Sequence, residues 1–198
     1  MLLHPALASE EPKNRKQDEH NTATQADRDI VVFGRELPET CKRWEVAKTF
    51  ESAKLRTLLV MLENLKKKKD YKVLVFCHSV GMLDIVQDAI QNSYGYCRID
   101  GKLNAKARAK MVHSFYNDED KFLFLISKTA GGTGLNLVAA NVVIILDPEW
   151  NPATDAQAAD RAYRMGQTRD VLVYKFVTKD SYDEIKYARQ GYKNEQVV

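Results

Sequence analysis

Phe122-Leu-Phe-Leu-Ile-Ser-Lys-Thr-Ala-Gly-Gly-Thr-Gly-Leu-Asn-Leu137, followed after four residues by Val142-Val-Ile-Ile-Leu146, decides the fold of this chain. Each outer block is a short apolar run bounded by turn residues, the pattern of a strand buried on both faces. The loop between them carries three glycines. Glycine lets backbone amides approach a phosphate closely, and Ser127, Lys128 and Thr129 add donors. Alone, such a loop is a weak signal, because a tight turn before a helix reads the same way. It is not the GxxxxGK[ST] phosphate loop, whose lysine and hydroxyl serve phosphate and magnesium.

The alternation continues on both sides. Val73-Leu-Val-Phe-Cys77 predicts another buried strand, Val80 to Gln91 a helix, and Tyr96 to Ile99 a brief strand ending in the turn Asp100-Gly101. Asn104 is placed to cap a helix from Ala105 to Tyr116. Downstream, Asn151-Pro152 precedes a helix expected from Asp155 to Met165, Val171 to Val177 predicts a strand, and Ser181 caps a last helix toward Gln190. Upstream, Leu55, Leu58, Leu59, Leu62 and Leu65 form a stripe at helical spacing. Strands separated by helices of this length predict an α/β fold: a three-layer α/β/α domain with a mainly parallel sheet and right-handed crossovers. Function in such sheets sits at the carboxyl ends of the strands. Cys77-His-Ser79, Asp100-Gly101, the Ser127 loop and Asp147-Pro148 fall there. Residues 8 to 29 are polar and aperiodic and read as a linker or insertion, and residues 30 to 50 fit neither period.

Composition narrows the function classes. The 198 residues, 44% hydrophobic, suffice for one ordinary domain plus a tail. No apolar run approaches the roughly 18 residues of a membrane span. Cys41, Cys77 and Cys97 form neither a CxxC nor a metal pattern, which suits a reducing compartment. A net charge of +3 permits a polyanionic partner without demanding one. The run Lys66 to Lys69 suits a solvated helix end, with a DNA-phosphate contact as the other reading. Asp118-Glu-Asp120 precedes a strand and reads as a surface loop, and His78 and His113 lack partners at metal or triad spacing. Trp150, in Asp147-Pro-Glu-Trp-Asn-Pro152, is either an exposed stacking element or a lid on the core.

The chemistry concentrates in Gln157-Ala-Ala-Asp-Arg161-Ala-Tyr-Arg164-Met-Gly-Gln167. On a helix, positions i, i+4 and i+7 share a face, so Gln157, Arg161 and Arg164 would stand together. Two guanidiniums beside an amide are suited to a phosphoryl-transfer transition state, in the manner of arginine fingers. A finger needs a nucleotide-holding site, and the sequence contains neither a phosphate loop nor a DExx-type magnesium motif.

Taken together, residues from about Ser52 to Gln190 resemble the second RecA-like lobe of Swi/Snf-type DNA-dependent ATPases. SKTAGGTGLNL resembles that family's S-T-K-A-G-G-x-G-L-N-L, with residues exchanged at 128 and 129. Asp155 to Gln167 matches D-x-Q-A-x-D-R-A-x-R-x-G-Q, and the D-P-x-W-N-P turn is intact. Ile99-Asp-Gly101 matches I-D-G, Ser52-Ala-Lys54 resembles S-G-K, and Val73 to His78 resembles V-L-I-F-S-Q. Tyr187 to Lys193 leans toward the Cockayne-syndrome-B-like excision-repair branch. Leu3-His4-Pro5-Ala-Leu7 resembles the segment before the second lobe, so residues 1–50 are expected to be a lobe-junction remnant with a linker, and 51–198 the lobe with a C-terminal helix.

The resemblance implies a double-stranded-DNA translocase of the chromatin-remodelling or DNA-repair type, nuclear, using ATP and Mg2+ held mainly by a first RecA-like lobe. It assigns Arg161, Arg164 and Gln157 to the ATP phosphates and Gly134 and Asn136 to the vicinity of the nucleotide sugar. It assigns Ser127, Lys128, Thr129, Gly101, Lys102, Trp150 and Asn151 to DNA. Chromatin or repair proteins follow as partners, and the lobe alone is expected to be inactive as an ATPase. The second reading is a non-catalytic DNA- or protein-binding scaffold.

Overall fold

The structure is a computed structural model and describes residues 52–68, 70–131 and 134–195, with the side chains of 129, 131 and 192–195 excluded. The expected junction and linker, residues 1–50, lie outside the described residues. In chain order the elements are α1 (Ala53–Lys66), β1 (Val73–Cys77), α2 (Val80–Ile90), β2 (Gly95–Ile99), α3 (Ala105–Asn117), β3 (Lys121–Ser127), a single turn α4 (Lys128–Gly131), β4 (Val142–Ile145), α5 (Pro152–Ala159), β5 (Leu172–Lys175) and α6 (Tyr182–Glu195).

The five strands form one sheet in the order β2-β3-β1-β4-β5, and every pairing is parallel. β1 is central, with Val75 between Leu125 on one side and Ile144 on the other. All five of its residues are buried, as its unbroken apolar run requires. Alternation along the strands sorts side chains onto two faces. Val73, Val75, Leu123, Leu125, Val142 and Ile144 pack with the α1 leucine stripe and with Leu83 and Val86 of α2. Leu74, Phe76, Phe124, Ile126, Val143 and Ile145 pack with Phe115 of α3, with Ala158 of α5, and with Leu137 and Ala140. Phe115 and Phe124 meet edge to face with centroids 5.0 Å apart. The sheet is thus covered on both sides, as the sequence pattern predicts.

Local chemistry sets the helix starts. Ser79 accepts from the Met82 amide, Asn104 from Ala107, and Asn151 from Ala153, with Pro152 at the first helical position. Ser181 accepts from the Asp183 amide and donates to the Thr178 carbonyl. The lysine run behaves as a helix end: Lys67 pairs with Glu63, Lys66 lies over the Phe122 ring and Lys68 over Tyr71.

One expected element differs. The helix expected from Asp155 to Met165 ends at Ala159, and residues 160–166 form a succession of turns. The Arg161 carbonyl, which a continuing helix would give to residue 165, accepts instead from the Leu137 amide at 2.9 Å. Burial of Ala162 against the sheet accompanies this change of direction.

From β1 the chain moves toward β2, whereas from β4 it moves toward β5 on the other side. The carboxyl ends of β1 and β4 therefore border a topological switch point, where parallel sheets open a crevice.

Gly95 opens β2 where its register against β3 shifts, and a Cβ there would meet the Asp120 carbonyl oxygen at 2.1 Å. That oxygen is backbone, so it yields only by moving the start of β3. Gly95→Ala is expected to lower stability by about 1–3 kcal/mol, read as a lower urea midpoint at unchanged m-value. An unchanged midpoint would contradict this packing.

Candidate functional site

Two loops and one turn meet beyond the carboxyl edge. The glycine-rich loop continues through Gly134, which adopts φ +50°, a conformation glycine takes without a Cβ penalty. Its carbonyl accepts from Arg164 Nη1 at 3.3 Å. Three residues on, the Leu137 amide donates to the Arg161 carbonyl. Gln167 closes the arrangement. Its amide group donates to the carbonyls of Val138, Ala140 and Ala162 at 2.7–3.2 Å, and its oxygen accepts from the Arg169 amide. Gly134 is thus tied to the Arg161–Arg164 turn by the Arg164 side chain, and Asn136 precedes the residue whose amide bonds to it.

The two arginines differ in environment. Arg164 is exposed, as is Gln157, which stands on α5. Arg161 is 8% exposed, and its Nε is buried without a hydrogen-bond partner among the described residues. Burial, reinforced by the nearby Arg164 guanidinium and opposed by Asp160, pushes its pKa down. Arginine's ordinary pKa is so high that it stays charged regardless. The result is a buried cation with an unused donor, an arrangement that an incoming anion would relieve. Because the helix stops at Ala159, Gln157, Arg161 and Arg164 do not share a helical face. The two arginines stand on a turn stapled to the glycine-rich loop.

A second constellation fills the switch-point crevice. Asp155, fully buried on the first turn of α5, accepts from Lys128 Nζ at 3.0 Å and Gln190 Nε2 at 2.7 Å, and pairs with Lys175 at 3.6 Å. Lys128 also donates to the Asp147 carbonyl, and Gln190 to the Glu149 carbonyl at 2.5 Å. Beside this group, Lys54 is buried between Asp183 at 2.6 Å and Asp147 at 3.3 Å and donates to the Leu146 carbonyl at 2.6 Å. The other Asp147 oxygen accepts from the His78 amide, and the His78 ring meets Glu149 at 2.5 Å.

Two of the residues expected at DNA have partners inside the chain. The Ser127 side chain is buried, with Oγ accepting from the Ala130 amide. The Lys128 side chain is 5% exposed and held by Asp155. Both brace the loop. The Thr129 side chain lies outside the described residues. Gly101 and Lys102 are exposed in the turn after β2, where Asp100 accepts from the Lys102 amide and is gripped by Arg98, itself tied to Asp84 and Gln87. Trp150 is partly exposed, edge-on to Tyr182 at 5.2 Å, and Asn151 is an exposed cap. The indole is therefore a partly open platform rather than a closed lid.

Lys54, Asp155, Gln167 and Gln190 received no role from the sequence. All four lie inside stretches that carry the family resemblance, which was the available signal. Burial raises the Cys77 and Cys97 thiols above the ordinary cysteine range, keeping both protonated at neutral pH. Among the described residues no group of three or more His, Cys, Asp or Glu could hold a metal, and no helix is long and apolar enough to cross a membrane.

Residues 53–166 match the helicase conserved C-terminal domain. The chain is 44% identical over 145 residues to mouse DNA excision repair protein ERCC-6-like 2, covering 73% of this chain and 9% of that protein. It is 37% identical over 187 residues to Switch 2 of Arabidopsis thaliana, covering 94% of this chain and 22% of that protein. The chain thus spans a small part of these relatives' length. Its structure superposes on the C-terminal part of the Fun30 ATPase domain with a TM-score of 0.70 at 36% identity, covering 75% of this chain and 49% of that one. The parallel sheet with its two helical layers is accordingly RecA-like.

Removing the cation from a buried ion pair strands its partners. Lys54→Met leaves Asp147 and Asp183 without their ammonium and is expected to lower unfolding free energy by about 3–5 kcal/mol, measured by urea denaturation. A loss below about 1 kcal/mol would mean that water reaches this group freely.

Proposed function

The chain belongs to the helicase conserved C-terminal domain family, among the Swi/Snf-type remodelling and repair ATPases, and we propose that it supplies one half of an ATPase site and part of a double-stranded-DNA track. The observation that carries this reading is the buried Arg161 side chain with its unpartnered Nε, on a turn bonded directly to the Gly134–Leu137 loop. A buried cation with a free donor suits an anion approaching from outside the chain. ATP, held with Mg2+ by a first RecA-like lobe, would supply the phosphoanhydride.

In this reading Arg161 and Arg164 stabilise negative charge on the transferring phosphoryl group. Burial favours Arg161 for that task, since a desolvated charge acts more strongly than a hydrated one. Arg164, exposed and lightly held by the Gly134 carbonyl, is free to swing toward the phosphates. Gln157 helps position the attacking water or the phosphate, and Gly134 and Asn136 border the nucleotide sugar. Gly101, Lys102, Trp150 and Asn151 meet the DNA backbone. Such contacts go mainly to phosphate, so binding is weakly sequence-dependent and strongly salt-dependent. The relatives' repair and remodelling names support a nuclear location and chromatin or repair partners.

This chain should therefore hydrolyse ATP only at background and gain DNA-stimulated turnover when joined covalently to a first lobe. Arg164→Ala in the joined enzyme should lower kcat by ~10³-fold or more. DNA-stimulated turnover by the isolated chain would refute the half-site, and an unchanged kcat would remove Arg164 from the reaction. Duplex binding that persists while no first lobe restores turnover would favour the scaffold reading.

A further inference from the structure

Two cations on α6 are held differently from the other basic side chains at this edge. Lys54, Lys128 and Lys175 are paired with buried carboxylates. Lys186 instead lies over the Tyr182 ring at 5.3 Å, and Arg189 over the Trp150 indole at 5.3 Å. Among the described residues neither is paired with a carboxylate. Positions 182, 186 and 189 share one helical face, and Tyr182 meets Trp150 edge to face at 5.2 Å, so the four side chains form one continuous strip.

A ring face orders a cation by about 0.5–1 kcal/mol at an exposed site without neutralising it. It leaves the in-plane N–H donors of a guanidinium unused. The carboxylates nearby are already matched: Glu149 faces His78 and Lys128, Asp155 faces Lys128, and Asp183 faces Lys54. Because a cation lies over each ring, the strip presents charge and donors outward beside its aromatic edges. That suits a phosphate backbone better than a hydrophobic peptide.

We propose that Lys186 and Arg189, ordered on Tyr182 and Trp150, form a phosphate-binding strip for duplex DNA that extends the contact at Trp150 and Asn151 along α6. The inference rests on the DNA-track reading above. The test measures binding of a mixed-sequence duplex to the full chain across a salt series, for wild type, Lys186→Gln, Arg189→Gln and the double variant. Lys102→Gln reports on the DNA-track reading. Each lost phosphate contact should reduce the slope of log K against log salt by about 0.9, an affinity loss of about 8-fold per cation near ~0.1 M salt. Thermal midpoints should fall by no more than about 2–4 °C per cation, since only an exposed ring contact is lost and the buried pairs are untouched. Slopes that respond to Lys102→Gln but not to the α6 variants would overturn the strip and leave the track standing. No duplex binding by wild type at low salt would overturn both. Unchanged duplex slopes with weakened binding of poly-glutamate would assign the strip to an acidic protein partner and likewise overturn it.

Discussion

The carboxylate of Asp155 is the constraint on which the arrangement at the carboxyl edge depends. It is fully buried, and it gathers Lys128 from the glycine-rich loop, Lys175 from β5 and Gln190 from α6. Its own backbone lies on the first turn of α5, three residues after the Pro152 start. A buried carboxylate is tolerable only when its lone pairs are taken. The need to take them fixes the relative positions of four segments that are remote in sequence. The neighbouring Lys54 group does the same for α1, the end of β4 and α6. The two groups touch through Asp147, whose carbonyl serves Lys128 and whose carboxylate serves Lys54.

This bracing fixes the described ends of the glycine-rich loop, up to Gly131 and from Gly134 onward. Glycines by themselves give freedom, not order. Here the loop is pinned at its start by Lys128 and at its end by Gln167, which receives no help from any regular hydrogen-bond ladder and binds three carbonyls itself. The Arg161–Arg164 turn hangs from the same pins. Positioning of the two guanidiniums is thus decided mainly by uncharged amides and backbone bonds, which leaves their own charge uncommitted.

The strands and helix starts were legible because their determinants are local. Val73–Cys77 and Val142–Ile145 are apolar runs, and Asn104 and Ser181 sit where caps belong. The buried polar groups were not, because their partners lie 27, 35 and 93 residues apart and no period connects them. Lys128 shows the consequence: nothing in the glycine-rich loop itself announces the Asp155 carboxylate that its ammonium meets. The end of α5 was hidden for a related reason. Nothing from Asp160 to Met165 forbids a helix, and the Arg161 and Ala162 carbonyls are taken instead by tertiary partners, Leu137 and Gln167.

In the proposed half-site, Arg161 acts on charge that develops on a nucleotide held by another lobe. The most direct measurement is the affinity of the lobe-joined protein for ADP with a planar fluoroaluminate, relative to ADP alone, in wild type and Arg161→Ala. Wild type should prefer the transition-state mimic by at least about 10²-fold, and the variant should lose most of this preference while keeping its affinity for ADP. An equal preference in the two proteins would contradict this role.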